Sequence, residues 1–218
     1  EQELEKAFEA PSFVEQLVDF EVEIGVIVAR NEKGEIRSYP TVEMAFHPEK
    51  NLVEYLFSPA TLEKDIEKKA QEIAATIIEK LDMVGLLAVE MFVTKEGDVL
   101  VNEVAPRTHN SGHQTIEGNV TSQFEQHLRA ILNMPLGDTS TVIPTAMVNL
   151  LGEEGHTGQA KYEGLDKVLE QEGVHLHLYG KKITKPFRKM GHVTIADKEL
   201  KGLKEKVKFV KEHLKIIA

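Results

Sequence analysis

The hydrophobic positions of this chain fall first into short runs and then into longer stripes at helical spacing. Residues 12–18 (SFVEQLV) and 22–29 (VEIGVIVA) read as strands parted by the polar Asp19 and Glu21. Residues 31–34 form a turn, residues 35–40 return as a third strand, and residues 51–57 (NLVEYLF) alternate as a fourth. Ser58 and Pro59 are expected to open a long helix, serine as the cap and proline in the first turn. Leu62, Ile66, Ala70, Ile73, Ala74, Ile77 and Leu81 give it one apolar stripe, and Gly85 ends the element. A second helix runs from Thr121 or Ser122 to Asn133, with Phe124, Leu128, Ile131 and Leu132 as its buried side. The break at Met134-Pro135-Leu136-Gly137-Asp138 divides the chain into residues 1–137 and 138–218. Beyond it come a strand at 145–151, a short helix at 165–171, strands at 174–179 and 192–196, and a closing helix at 198–213. Leu200, Leu203, Val207, Val210 and Leu214 form the apolar face of that last helix. The predicted class is α+β: an antiparallel sheet with flanking helices, followed by a small C-terminal α/β domain.

One stretch does more than pack. Two apolar runs, residues 86–93 and 99–101, flank the polar turn Thr94-Lys95-Glu96-Gly97-Asp98 and read as a hairpin. A turn centred between Glu96 and Gly97 sets Glu90 directly opposite Glu103. Carboxylates about 5 Å apart repel by roughly 3 kcal/mol at an effective dielectric near 20. Such a pair calls for a proton, a basic residue or a cation, and Mg²⁺ takes carboxylates together with substrate phosphates. Pro106, Arg107, His109, Asn110, Ser111, Gly112 and His113 follow at the C-terminal end of the second strand, where a loop on a rigid sheet usually carries function. The stretch reads as a metal and phosphate site.

Composition narrows the classes. The chain of 218 residues is 41% hydrophobic and 28% charged, the balance of a soluble globular protein. A net charge of −10 argues against a general nucleic-acid binder, which requires a basic surface. The absence of cysteine removes disulfides and thiolate chemistry. No apolar run is long enough to span a bilayer and no signal peptide is present, so the expected location is the cytoplasm, away from membranes.

Other candidates are weighed against plainer readings. Residues 181–189 (KKITKPFRK) put five basic side chains into nine positions, as a solvated loop or as an anion site. His175, His177 and Tyr179 alternate on one strand face with His192 nearby, but without the Cys or carboxylate that a zinc site needs. No metalloprotease, serine-hydrolase, P-loop or dinucleotide fingerprint occurs.

The run Asn102-Glu103-Val104-Ala105-Pro106-Arg107-Thr108-His109-Asn110-Ser111-Gly112-His113 resembles the signature of the 5-(carboxyamino)imidazole ribonucleotide synthetases, ATP-grasp enzymes of de novo purine synthesis. The similarity continues through residues 122–131 (SQFEQHLRAI), with support at residues 14–16, 39–40, 175–181 and 188–192. It implies an ATP-grasp fold and a carbon–nitrogen ligase that carboxylates 5-aminoimidazole ribonucleotide with ATP and bicarbonate through carboxyphosphate. The cofactors implied are ATP and Mg²⁺, and the implied assembly is a homodimer. By the same resemblance Glu90 and Glu103 hold the metal, while Glu15, Gln16, Leu17 and Val18 contact adenine. Glu23 takes the ribose, and His47, Asn102 and Glu103 lie on the nucleotide. Arg107 and His109 bind bicarbonate or carboxyphosphate as the catalytic pair, and Asn110 and His113 touch substrate. Lys181, with Lys182 as its alternative, and Arg188 take the ribonucleotide phosphate.

The chain opens on Glu1, and nothing before Pro11 supplies a sheet. It is therefore expected to be part of a longer protein, lacking the family's N-terminal domain and flap, and inactive alone. Two rivals stand beside this reading. One is formate-dependent glycinamide ribonucleotide transformylase, disfavoured by Asn110-Ser111-Gly112-His113. The other is a non-catalytic remnant serving as a binding or dimerisation module, against which the retained Glu90 and Glu103 speak.

Overall fold

A computed structural model describes residue 11 and residues 15–46 and 53–218. Strands β1 (Phe20–Arg30), β2 (Ile36–Ser38), β3 (Val42–Phe46) and β4 (Val53–Ser58) come first, followed by helix α1 (Lys64–Lys80). The hairpin β5 (Gly85–Thr94) and β6 (Val99–Ala105) leads into a 3-10 turn at Asn110–Gly112 and helices α2 (Thr115–Gly118) and α3 (Gln123–Ile131). Then come β7 (Thr145–Leu151), β8 (Gly158–Gln159), β9 (Lys161–Glu163), α4 (Leu165–Leu169), β10 (Val174–Leu178) and β11 (Ile183–Thr184). β12 (Lys189–Ala196), α5 (Leu200–His213) and β13 (Lys215–Ile217) complete the chain.

Among the described residues one nine-stranded sheet runs in the order β10-β12-β7-β4-β3-β1-β5-β6, with β2 beside β1. Every pairing in it is antiparallel. Directly paired residues share a face, so the register sorts the side chains into two sets. Ile24, Val26, Val28, Val89 and Met91 pack on Ala70, Ala74 and Ile78 of α1. On the same face Phe57, Ala146, Val148, Val193 and Ile195 pack on Leu203, Val207 and Val210 of α5. The other face is apolar only in part: Ile27, Ala29, Leu86 and Ala88 meet Ala130 of α3, and Val42, Met44, Leu56 and Met147 form a small core beside them. The remainder of that second face is polar, and the site lies there.

Several expected boundaries move. Residues 15–19 form no strand, residues 12–14 lie outside the described set, and β1 begins at Phe20. β3 was not expected, because its alternation of Val42 and Met44 follows directly on Pro40. Ser58 does not cap α1; it ends β4 opposite Thr145, the Ser58–Pro59 bond is cis, and the helix starts six residues later behind Glu63. The buried stripe of α1 is Ala70, Ala74 and Ile78, while Leu81 is exposed. Gly85 opens β5 rather than closing the helix, at φ +125°.

Helix α3 carries the largest correction. Phe124, Leu128, Ile131 and Leu132 are 40–65% exposed, and the buried side is Gln123, Gln126 and Ala130. A purely apolar criterion inverts this helix, because its buried amides are satisfied by backbone partners.

Candidate active site

The hairpin sets Glu90 opposite Glu103, but by a different route from the one expected. The pairs Val93 with Val99 and Met91 with Val101 centre the turn on Glu96, which alone would put Asn102 opposite Glu90. A bulge between Glu90 and Met91 adds one residue to β6 and advances the partner to Glu103. Asn102 is that added residue, and its Nδ2 donates to Oε1 of Glu23 at 3.5 Å.

On β1, Gly25 is paired with Glu90, and Glu23 lies two residues along on the same face. Three carboxylates therefore gather at the centre of this half of the sheet. Burial pushes the Glu23 carboxyl up to about 7, with Asn102 opposing and Glu103 reinforcing the rise. Burial also raises Glu90 to about 7, followed by the charges of Glu103 and Glu23. Gly25 leaves room for the loop overhead: a Cβ there would lie 3.4 Å from Cβ and Oγ of Ser111.

That loop brings the bases. Nδ1 of His109 lies 3.4 Å from Oε1 of Glu90 and 2.9 Å from Oγ of Ser111. Burial, then the cations of Arg107 and Lys189, hold His109 down at about 4. The contact therefore joins a neutral imidazole to a carboxyl group that holds its proton more tightly than an ordinary glutamate. Arg107 is exposed and donates to the Thr108 carbonyl at 3.0 Å. Lys189, at the start of β12, is half-buried and held below the ordinary lysine range by burial, with Glu90 opposing the shift and Arg107 and Lys181 adding to it.

Beyond this centre the loop is anchored. Nδ2 of Asn110 donates to Oδ1 of Asn149 at 2.9 Å, and Asn149 returns the bond at 3.0 Å while also donating to the Val53 carbonyl at 2.7 Å. The His113 ring stacks on His192 at 4.5 Å, and His192 on His177 at 4.4 Å. His177 meets Glu117 at 2.8 Å, and Nδ1 of His192 meets the Tyr179 hydroxyl at 3.1 Å. Burial holds His113 at about 4 and His192 at about 3, so both rings are neutral. His175 points to solvent.

Glu23, Glu90, Asn102, Glu103, Arg107 and His109 thus come together as a group. Nζ of Lys181 donates to the Lys189 carbonyl and sits 5.5 Å over the Tyr179 ring, whereas Lys182 is exposed. Arg188 donates to the Ile183 carbonyl at 2.8 Å. Glu15, Gln16, Leu17 and Val18 lead into β1 without regular structure, Leu17 93% exposed. His47 lies outside the described residues. Lys189 and Gln123 were not foreseen: the first reads as one more base in a basic run, the second as a polar helix position.

Among the described residues no cluster of three or more ligating side chains forms a cation site made by protein alone. Two facing carboxylates, one driven upward by burial and then by the other's charge, fit a hard cation that completes its shell with water and phosphate.

Residues 1–124 match the ATP-grasp domain family, and residues 145–206 match the phosphoribosylaminoimidazole carboxylase C-terminal domain. The chain belongs to the ATP-grasp family. It is 46% identical over 181 residues to N5-carboxyaminoimidazole ribonucleotide synthase of Bacillus subtilis, covering 83% of this chain and 46% of that protein. The crystal structure of N5-carboxyaminoimidazole ribonucleotide synthetase from Thermotoga maritima superposes with a TM-score of 0.93 at 50% identity, over 100% of this chain and 58% of that one. The Aspergillus clavatus enzyme in complex with ADP and 5-aminoimidazole ribonucleotide gives 0.87 at 32% identity, over 97% and 56%. The chain spans about half the length of the curated relatives it matches.

Proposed function

We propose that the protein carrying this chain forms 5-(carboxyamino)imidazole ribonucleotide from ATP, bicarbonate and 5-aminoimidazole ribonucleotide. The observation that carries the reading is the pairing of Glu90 with Glu103 beneath Arg107, His109 and Lys189. In this proposal Glu90 and Glu103 hold Mg²⁺, whose chemistry is to neutralise charge on the nucleotide phosphates. Glu23 and Asn102 take the sugar side of the nucleotide, and residues 15–18 take the adenine.

A bicarbonate oxygen attacks the γ-phosphorus, ADP leaves, and carboxyphosphate forms. The amine of the ribonucleotide then attacks the carboxyl carbon, inorganic phosphate departs, and the nitrogen sheds a proton. Arg107 and Lys189 supply fixed positive charge for the anions in both steps. His109, neutral at working pH, is placed to accept the proton that the amine releases. Lys181 takes the ribonucleotide phosphate in preference to Lys182, since it is the half-buried of the two and lies next to Lys189. Arg188 joins it from the same loop. We also place a division between two parts of the chain at residues 137 and 138, inside the interval that neither family match covers.

The test supplies ¹³C-bicarbonate, ATP and 5-aminoimidazole ribonucleotide to the protein at its natural length. Label in a carbamate carbon with one phosphate released per carboxylation supports the proposal; phosphate release that ignores the amine, or formate incorporation instead, contradicts it.

A further inference from the structure

Helix α3 turns two glutamines inward, and each grips a stretch of backbone with both ends of its amide. Gln126 accepts from the Gly137 N–H at 2.7 Å and donates to the Gly137 carbonyl at 3.0 Å. Gln123 does the same to His109: Oε1 accepts from the His109 N–H at 2.9 Å, and Nε2 donates to the His109 carbonyl at 2.8 Å. These backbone partners fix which end of the amide is which, since only oxygen can accept from N–H. The remaining Nε2 hydrogen meets Nδ1 of His113 at 3.0 Å, so that nitrogen is an acceptor and the His113 proton sits on Nε2.

The surroundings are cut to this amide. Gln123 is fully buried. A Cβ on Gly112 would stand 2.4 Å from Oε1 and 2.7 Å from the amide carbon of Gln123, so a side chain there would push the amide away. Thr115 accepts from the Gln123 N–H at 2.8 Å and donates to the Gly112 carbonyl at 2.6 Å, tying the two together.

We propose that Gln123 is a positioning residue for His109 and that Gly112 is glycine to admit it. The proposal rests on the reading of His109 as the group that accepts the proton released by the amine. His109 flanks a short 3-10 turn on a loop. Pinning its N–H and C=O fixes where the ring stands over Glu90 and Ser111. No side chain of Gln123 touches substrate in this scheme. Misplacing a reacting group by about 1 Å costs roughly 100-fold in rate, which gives the clamp its expected scale.

The experiment uses the protein at its natural length and the variants Gln123→Met and Gly112→Ala, which break the clamp from opposite sides. Each is expected to lower kcat for amine- and bicarbonate-dependent turnover roughly 10- to 100-fold with the KM for ATP nearly unchanged. The double variant is expected to be no worse than the poorer single one, because the two act as a unit. Gln126→Met, which frees Gly137 instead, lowers Tm and leaves kcat alone. In NMR spectra of the ligand-free protein, the His109 amide and ring signals move in both clamp variants and stay in Gln126→Met. Unchanged kcat below the melting temperature in Gln123→Met and Gly112→Ala, or unmoved His109 signals, would overturn the proposal. If the unaltered protein has no turnover, the functional reading fails, and the His109 signals alone then decide the clamp.

Discussion

At the scale of single residues, neighbours decide what each ionisable group does. Burial pushes Glu23 up to about 7 with the charge of Glu103 adding to it, and pushes Glu90 up to about 7 with the charges of Glu103 and Glu23 adding. Burial pushes His113 and His192 down to about 4 and 3. The imidazoles give a pH signature. An unfolded histidine takes up its proton near pH 6.5, but these two stay neutral in the fold until well below that. Their contribution is present above pH 6.5 and is lost as pH falls toward 4, because the unfolded chain then binds more protons. The raised carboxyls act in the opposite direction between about 4.5 and 7, so the unaltered protein alone mixes the two effects. Comparing it with His192→Phe isolates one imidazole. The stability advantage of the unaltered protein over His192→Phe should shrink by on the order of 1–2 kcal/mol from pH 7 to pH 5 in urea unfolding. An advantage that is constant or grows on acidification would mean that His192 is not held neutral. Glu90, Glu103, Arg107 and His109 were legible in the sequence because they stand within one hairpin and the loop after it. Lys189 was not, because only the pairing of β12 with β7 in the common sheet brings it to them.

At the scale of elements, the hairpin was read from its turn and its facing carboxylates, and the facing was right for an incomplete reason. The bulge at Asn102, not the turn alone, brings Glu103 opposite Glu90 and lets Asn102 reach Glu23. Deleting Asn102 would restore a regular ladder with Glu103 still opposite Glu90 but with the aim of its side chain altered and Glu23 unpartnered. That variant should keep its fold and lose nucleotide-dependent stabilisation; full retention of that stabilisation would mean that the bulge does not shape the site. Helix α3 teaches a related lesson. Its hydrophobic spacing is genuine, yet Gln123 and Gln126 take the buried side because each of their polar atoms finds a backbone partner. Periodicity counts apolar residues and has no means of seeing those bonds. The start of α1 departs from expectation for a similar reason: Ser58 has the side chain of a cap but belongs to β4.

At the scale of the whole molecule, the nine-stranded sheet carries the carboxylates and most of the core. Its first face is closed by α1 and α5. Its second carries the carboxylates of β1, β5 and β6 and the stacked His177 and His192 of β10 and β12, with Lys189 close enough to act on Glu90 and His109. The strand pattern announces an α+β chain with an antiparallel sheet, but not that β7 pairs with β4 and joins the strands before α3 and after it into one surface. Two ligands held across such a surface stabilise the fold by mass action. With Mg²⁺ and ATP at about 100 times their dissociation constant, the protein at its natural length should gain roughly 2.7 kcal/mol, or several degrees in Tm. ATP with excess chelator should give little of that gain, and an equal gain without the metal would remove Glu90 and Glu103 from the nucleotide site. The most direct test of the central claim is the rate of phosphate release from ATP by that protein, with and without 5-aminoimidazole ribonucleotide and bicarbonate, beside its Glu103→Ala variant. Release that requires both co-substrates and falls at least about 100-fold in the variant is the expected result. Release that persists when Glu103 is gone would contradict the account.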